Sequence, residues 1–375
     1  MVRTPRASLL SIGSELLLGE TVDTNAAYLG AGLARLGVEL TSVRQLGDDR
    51  QLIAAAFRAA REGADLVLST GGLGPTHDDL TREGLADALA EELTADPGLE
   101  AMLRERFAAH GRMPVSNLRQ ALRIPSTEIL ANPIGSAPGW WVDRDGVVVA
   151  ILPGVPSEMR RMYIEELAPR IAARFALHPL YMRTVKTFGI GESAVAERVG
   201  DLLTAPGDGV LAGIYARDDG VHLRFSTRED AGLLDPPVRR ATSILGDGVW
   251  GTDADELAGV ALAALARGGA RTVASWEADT DGALLAILSA TPTLDSAAAY
   301  VGGMLDCGGP ISAPVADAVV QLSLLEQDAH GRSRVRVSVS GMVTLPPAEL
   351  RIHGSGPQRL RRAAFAALDR IRRVS

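Results

Sequence analysis

Residues 70–81 read T-G-G-L-G-P-T-H-D-D-L-T. They follow a short apolar run at 65–69, D-L-V-L-S, and precede a helical pattern. A glycine-rich turn from strand to helix makes a nest of backbone N–H groups, which suits phosphate. Asp78 and Asp79 then stand side by side at the expected start of the helix. Bare carboxylates repel phosphate, so both serve one ligand only with a divalent cation, Mg2+ or similar, between them. The stretch therefore predicts a strand–loop–helix unit and a phosphorylated ligand held with a metal.

The same alternation extends upstream. Residues 8–12 read as a strand. Asp23, Thr24 and Asn25 supply N-cap chemistry for a helix to about residue 35, and Gly37 ends it. Residues 38–46 read as a second strand. Asp48 and Asp49 precede a helix over 51–61, and 65–69 is the third strand. Strands alternating with helices predict an α/β fold, a mostly parallel sheet with helices on both faces. Downstream, 147–152 is an apolar strand, followed by P-G-V-P at 153–156 and a helix from about residue 157. Residues 132–139, N-P-I-G-S-A-P-G, form another turn-rich loop before Trp140-Trp141-Val142.

Ligands of open α/β sheets bind beyond the carboxyl ends of the strands. That rule gathers Glu15, Asp48, residues 71–79 and residues 153–156 at one edge. An Asp before a helix also caps it, so Asp23, Asp48 and Asp49 read both ways. Turn residues such as Asn132, Ser136 and Pro153 to Pro156 serve architecture or binding equally.

The rhythm changes near residue 175. A strand at 183–188, a helix at 192–203, a hairpin of 210–216 with 221–227 around Asp218-Asp219-Gly220, and a helix ending near 245 make a small α+β module. A third module follows, with helix 256–266, strand 272–275, helix 282–289, a strand pattern at 334–341 and a last helix at 357–372. The expected domains are 1–172, 173–251 and 252–375.

Composition narrows the classes. The chain has 375 residues, 46% hydrophobic and only 4% aromatic, so aliphatic packing dominates its cores. A net charge of −8 argues against a generic nucleic-acid binder. Lys186 is the sole lysine and Cys307 the sole cysteine, which excludes an intrachain disulfide. Residues 1–8 are mostly polar with no signal-peptide pattern, and no apolar run approaches the roughly 20 residues of a membrane span. A cytoplasmic protein without a membrane partner is expected.

Four segments carry a resemblance: G-S-E-L-L-L-G-E-T-V-D-T-N, G-G-L-G-P-T-H-D-D-L-T-R-E, N-P-I-G-S-A-P-G and L-P-G-V-P-S-E-M. In order and spacing they resemble the competence/damage-inducible protein CinA family, whose first domain is similar to the molybdopterin-binding fold of molybdenum cofactor biosynthesis proteins. K-T-F-G-I-G-E-S at 186–193 resembles the KH-like module of that family. The resemblance implies metal-dependent hydrolysis of the diphosphate of ADP-ribose or a related nucleotide, and a homodimer. Asp78 and Asp79 are then candidate metal ligands. Glu15 and Asp48 are candidates for metal binding or water activation. Gly71, Gly72, Gly74 and Thr76 would cradle phosphate, with Pro75 among the substrate-binding residues. Asp23, Asn25, Asn132, Ser136, Pro153, Gly154 and Pro156 would hold the rest of the nucleotide.

The third module departs from the family. Relatives often end in a nicotinamide mononucleotide deamidase with the motif A-E-S-C-T-G-G. The matching stretch here is W-E-A-D-T-D-G at 276–282, with Ala278 at the nucleophile's place. Tyr300-Val301-Gly302-Gly303 runs into M-L-D-C-G at 304–308, and no lysine follows Lys186. Deamidase activity is therefore expected to be absent. In the middle module, Gly189-Ile190-Gly191-Glu192 lacks the second glycine of a KH clamp and carries an acid instead, so no nucleic-acid partner is expected. Two rivals remain: a pterin- or nucleotide-binding protein without turnover, and a molybdenum cofactor biosynthesis transferase.

Overall fold

A computed structural model describes residues 3–108, 111, 113–292, 296–306, 315–327, 333–352 and 354–374. Cys307 and Gly308 lie outside them. The chain forms two compact units, Met1–Leu180 and Tyr181–Ser375. Among the described residues no helix is long and apolar enough to cross a membrane.

The first unit runs β1 (Arg6–Ile12), α1 (Ser14–Leu17), α2 (Thr24–Leu36), β2 (Glu39–Leu46), α3 (Arg50–Gly63), β3 (Leu66–Thr70), α4 (Thr81–Leu89), β4 (Thr94–Ala95), α5 (Pro97–Ala108), β5 (Leu122–Arg123), β6 (Glu128–Leu130), β7 (Gly139–Arg144), β8 (Val147–Leu152), α6 (Pro156–Met162) and α7 (Ala168–Arg174). One six-stranded sheet has the order β2-β1-β3-β8-β7-β6. β2, β1, β3 and β8 are parallel to one another, and β7 and β6 add an antiparallel edge.

The central strands are apolar throughout because both faces are covered. Successive side chains alternate between two cores. Leu10, Ile12, Val67, Val149 and Ile151 pack with Ile53 and Phe57 of α3 and Leu85 of α4. Leu9, Leu66, Leu68, Val148 and Leu152 pack with Leu29 and Leu33 of α2 and Met159 of α6. The ends of α2 follow its sequence. Asp23 caps it by accepting the Ala26 N–H at 2.9 Å, and Gly37 closes it at φ 93°.

Three local expectations need correction. The helix after the glycine loop begins at Thr81, not at Asp78. Asp79 turns its carboxylate back into the loop instead of capping the helix. The single helix expected over 192–203 is two, α8 (Glu192–Arg198) and α9 (Gly200–Thr204), broken at Val199.

The rest of the second unit comprises β9 (Tyr181–Thr187), β10 (Leu211–Arg217), β11 (Gly220–Thr227), α10 (Asp235–Leu245), β12 (Val249–Thr252), α11 (Leu257–Arg267), β13 (Thr272–Ala278), α12 (Ala283–Ala290), β14 (Ala299–Leu305), β15 (Ala318–Gln327), β16 (Ser333–Gly341), β17 (Leu345–Ile352) and α13 (Gly356–Arg372). It holds two sheets, β10-β11-β9-β12 and β14-β13-β15-β16-β17. The hairpin expected around Asp218 and Asp219 joins β10 to β11.

At the end of β13, Glu277 is buried and accepts the Thr280 hydroxyl at 2.7 Å, Leu284 N–H at 3.0 Å and Leu285 N–H at 2.7 Å. These bonds satisfy donors at the start of α12. Glu277 and Thr280 thus hold a helix terminus, while Ala278 between them offers no attacking atom.

Candidate active site

The loops after β1, β2, β3 and β8 meet at the carboxyl edge of the parallel strands, around a cleft of about 450 Å³. The strand order puts them together. β3 lies between β1 and β8, so the glycine loop has the first loop on one side and the 153–156 loop on the other.

Glycine is required where the loop leaves β3. Gly71 has φ 102° and Gly72 φ 64°, a region that favours glycine. A Cβ on Gly71 would overlap the carbonyl oxygen of Ile12, and one on Gly72 would overlap the Thr81 hydroxyl. The Thr81 hydroxyl donates to Gly71 O at 2.8 Å from a fully buried position. Thr70 donates to Pro153 O at 2.9 Å, and Asn25 donates to Thr70 Oγ1 at 3.0 Å and Gly154 O at 2.8 Å.

Asp79 organises the loop from within. Its Oδ1 accepts the Gly74 N–H at 2.8 Å, and its Oδ2 accepts the Thr76 N–H at 2.8 Å together with the Thr76 hydroxyl. A Cβ on Gly74 would overlap this carboxylate. The Gly74 and Thr76 N–H groups are therefore already paired. Asp78, by contrast, is exposed. The Thr76 hydroxyl, which Asp78 shares with Asp79, its own backbone N–H and, less strongly, His77 and Arg119 hold its carboxyl below the usual range.

Two arginines grip the loop's carbonyls. Arg82 is 3% exposed and donates to Leu73 O at 2.9 Å and Pro138 O at 3.3 Å, joining the glycine loop to the 132–139 loop. Burial lowers its pKa to about 10, so the guanidinium stays charged at neutral pH. Arg119 donates to Thr76 O, to Asp79 O at 3.2 Å and to Glu83 Oε1 at 2.6 Å.

Of the residues expected from sequence, Glu15, Asp48, Gly71, Gly72, Gly74, Pro75, Thr76, Asp78, Asp79, Ser136, Pro153 and Gly154 line the cleft. Asp48 accepts Ser14 N–H at 2.9 Å and Ser14 Oγ–H at 2.7 Å through Oδ2, and Glu15 folds back over Gly13. Asp23, Asn25, Asn132 and Pro156 do not line it. The first three hold loops and a helix end instead. Pro156 opens α6.

Sequence reasoning missed Glu158 and Gln120, which do line the cleft. Glu158 was visible as the acid of L-P-G-V-P-S-E-M, in the first helical turn after β8. Gln120 lies in a 3-10 helix whose sequence carries no motif.

The lining thus holds five carboxylates, Glu15, Asp48, Asp78, Asp79 and Glu158, and among the described residues no Lys, Arg or His. Such a lining by itself repels a bare phosphate. Among the described residues no three acidic, imidazole or thiol groups gather closely enough to hold a metal unaided.

Comparison with known proteins agrees with this architecture. Residues 8–173 match the family described as "Probable molybdopterin binding domain", and 182–251 match "Damage-inducible protein CinA KH domain". The first unit has that molybdopterin-binding-like α/β fold. A CinA-like protein of Thermomicrobium roseum is 48% identical over 269 residues, which is 70% of this chain and 66% of that one. A CinA-like protein of Deinococcus deserti is 42% identical over 299 residues, 78% of this chain and 73% of that one. The chain thus spans two thirds to three quarters of these relatives. A crystal structure of the protein CinA from Thermoplasma acidophilum is 39% identical, covers 43% of this chain and 95% of that one, and has a TM-score of 0.41.

Proposed function

The chain belongs to the CinA-like protein family, and from that premise we propose that its first unit hydrolyses the diphosphate of ADP-ribose or a closely related nucleotide with the help of a divalent cation. The observation that carries the proposal is the make-up of the cleft. A backbone glycine loop lies among five carboxylates at the carboxyl edge of a parallel sheet, and no cationic side chain among the described residues lines it.

Asp78 is the residue to hold the cation. It is exposed, its carboxyl is ionised below the usual range, and its neighbour Asp79 is occupied by the loop. When bound, a divalent cation neutralises phosphate oxygens and lowers the pKa of water beside it. The remaining work falls to the chain. Asp79 fixes the glycine loop as a wall of the cleft, and since the Gly71, Gly74 and Thr76 N–H groups are already paired, the diphosphate is held there chiefly through the cation. Asp48 and Glu15 face the same cleft as acceptors for the proton of an attacking water. Water adds to one phosphorus and the other phosphate leaves, giving AMP and ribose 5-phosphate from ADP-ribose.

The third module contributes no deamidation in this account, since Ala278 replaces the nucleophile and no lysine follows Lys186. The chain works as a homodimer on a small nucleotide, without nucleic acid.

A second reading, nucleotide binding without turnover, draws on one observation: both Asp79 oxygens are already engaged. Incubating the full chain with ADP-ribose, with Mg2+ and with excess chelator, separates the two. Metal-dependent AMP release supports hydrolysis. Tight binding with no product supports the second reading.

A further inference from the structure

Glu158 differs from the other four acids of the cleft. It lies in the first turn of α6, after β8, whereas they come from the segments after β1, β2 and β3. Like the other four, it belongs to no group of three acids able to hold a metal and makes no ion pair among the described residues; its place and its partner set it apart. Its carboxylate is nonetheless fixed. Asn132 Nδ2 donates to Glu158 Oε2 at 2.7 Å. Asn132 is itself held by donating to Ala137 O at 2.9 Å and by accepting the Gly135 N–H at 2.7 Å. Gly135 passes so close that a Cβ there would overlap Glu158 Oε2. The 132–139 loop is thus closed around this carboxylate, and Oε1 has no partner among the described residues.

A half-buried carboxylate steadied by a neutral amide, with no ion-pair partner among the described residues, repels phosphate and accepts hydrogen bonds from uncharged donors. In a nucleotide cleft those donors are sugar hydroxyls, the role an acidic side chain also plays beside the ribose of a dinucleotide. We propose that Glu158 is the specificity residue of the cleft. It accepts a ribose hydroxyl of the ligand, sets which end of the ligand lies at the glycine loop, and rejects ligands phosphorylated on that hydroxyl. The proposal rests on the nucleotide reading of the cleft.

Binding of a non-hydrolysable α,β-methylene ADP-ribose and of its analogues lacking one ribose hydroxyl at a time, measured by calorimetry on the full chain with Mg2+, tests it. The wild type is expected to disfavour one deoxy analogue by at least about tenfold. Glu158→Gln, with an unchanged thermal midpoint, is expected to bind both within about threefold, and its KM is expected to rise more than its kcat falls. If Glu158→Gln does not fold, Glu158→Asp is expected to retain charge and fold but to discriminate less than the wild type. Discrimination that is absent from the wild type, or undiminished in the folded variant, overturns the role of Glu158 and leaves the nucleotide reading standing. A wild type that binds no ADP-ribose overturns both.

Discussion

Asp79 accepts the backbone N–H of Gly74 at 2.8 Å, closing the glycine loop on itself. Its second oxygen takes the N–H of Thr76 at 2.8 Å. The two adjacent aspartates therefore divide the work: Asp79 builds the loop, and Asp78 is left facing solvent beside it.

That division predicts opposite phenotypes. Asp79→Ala removes the acceptor of two backbone donors and one hydroxyl. It is expected to lower stability by about 1–3 kcal/mol in urea denaturation. Asp78→Asn is expected to leave the unfolding curve unchanged and to abolish metal-dependent turnover. Equal loss of stability in both variants would contradict the assignment.

The pH behaviour of Asp78 follows from its neighbours. The Thr76 hydroxyl is the largest influence holding its carboxyl low. A depressed folded-state pKa means that the ionised form is favoured above the unfolded value and is lost only as pH falls through the lower folded value. An NMR titration of the Asp78 carboxyl is expected to show a midpoint below 3.8, the ordinary value. In Thr76→Val the midpoint is expected to move upward.

Gly71 admits no side chain. Gly71→Ala places a Cβ against Ile12 O at a left-handed backbone position, φ 102°. Strain at such a position costs about 1–3 kcal/mol, and the overlap adds to it. Chemical denaturation is expected to show at least that loss, together with weakened ADP-ribose binding. Gly63→Ala is the control, since a Cβ there meets nothing within 4 Å.

Arg82 links two loops through carbonyls alone. Arg82→Met leaves the Leu73 and Pro138 carbonyls without this donor, which costs about 1–3 kcal/mol for each carbonyl left unsatisfied. Amide hydrogen exchange is expected to rise in both loops at once. A rise in the glycine loop alone would show that Arg82 does not couple them.

Much of this was legible in the sequence where one physical requirement acted alone. β1, β3 and β8 were readable because strands covered on both faces need unbroken apolar runs. Asp23 and Gly37 marked α2 because capping is local. Legibility failed where tertiary contacts decide. β17, where no element was expected, carries Pro346 and Pro347, and it lies at a sheet edge where a missing N–H is tolerated. α5 buries only Leu99 and Leu103, too few to print a helical period. β14 and β15 gave no signal that sequence reasoning used. At the cleft, the loops after strands announced themselves by glycine and acid. Asn25 and Asn132 could not be sorted in advance, because a side chain that holds a loop and one that holds a ligand look alike in sequence.

The C-terminal motif allows a test of the expected lack of deamidase activity. Ala278→Ser restores an oxygen at the nucleophile's place but no lysine follows Lys186 to assist it. Neither the natural chain nor this variant is expected to release ammonia from nicotinamide mononucleotide. Release by the natural chain would show that the second unit has a working site.

The most direct test of the central claim is product formation from ADP-ribose by the full chain, followed by 31P NMR with Mg2+, with excess chelator, and with Asp78→Asn. The account predicts AMP and ribose 5-phosphate in equal amounts with Mg2+, none with chelator until metal is restored, and none from the folded variant. Undiminished turnover in chelator, or in Asp78→Asn, would contradict it.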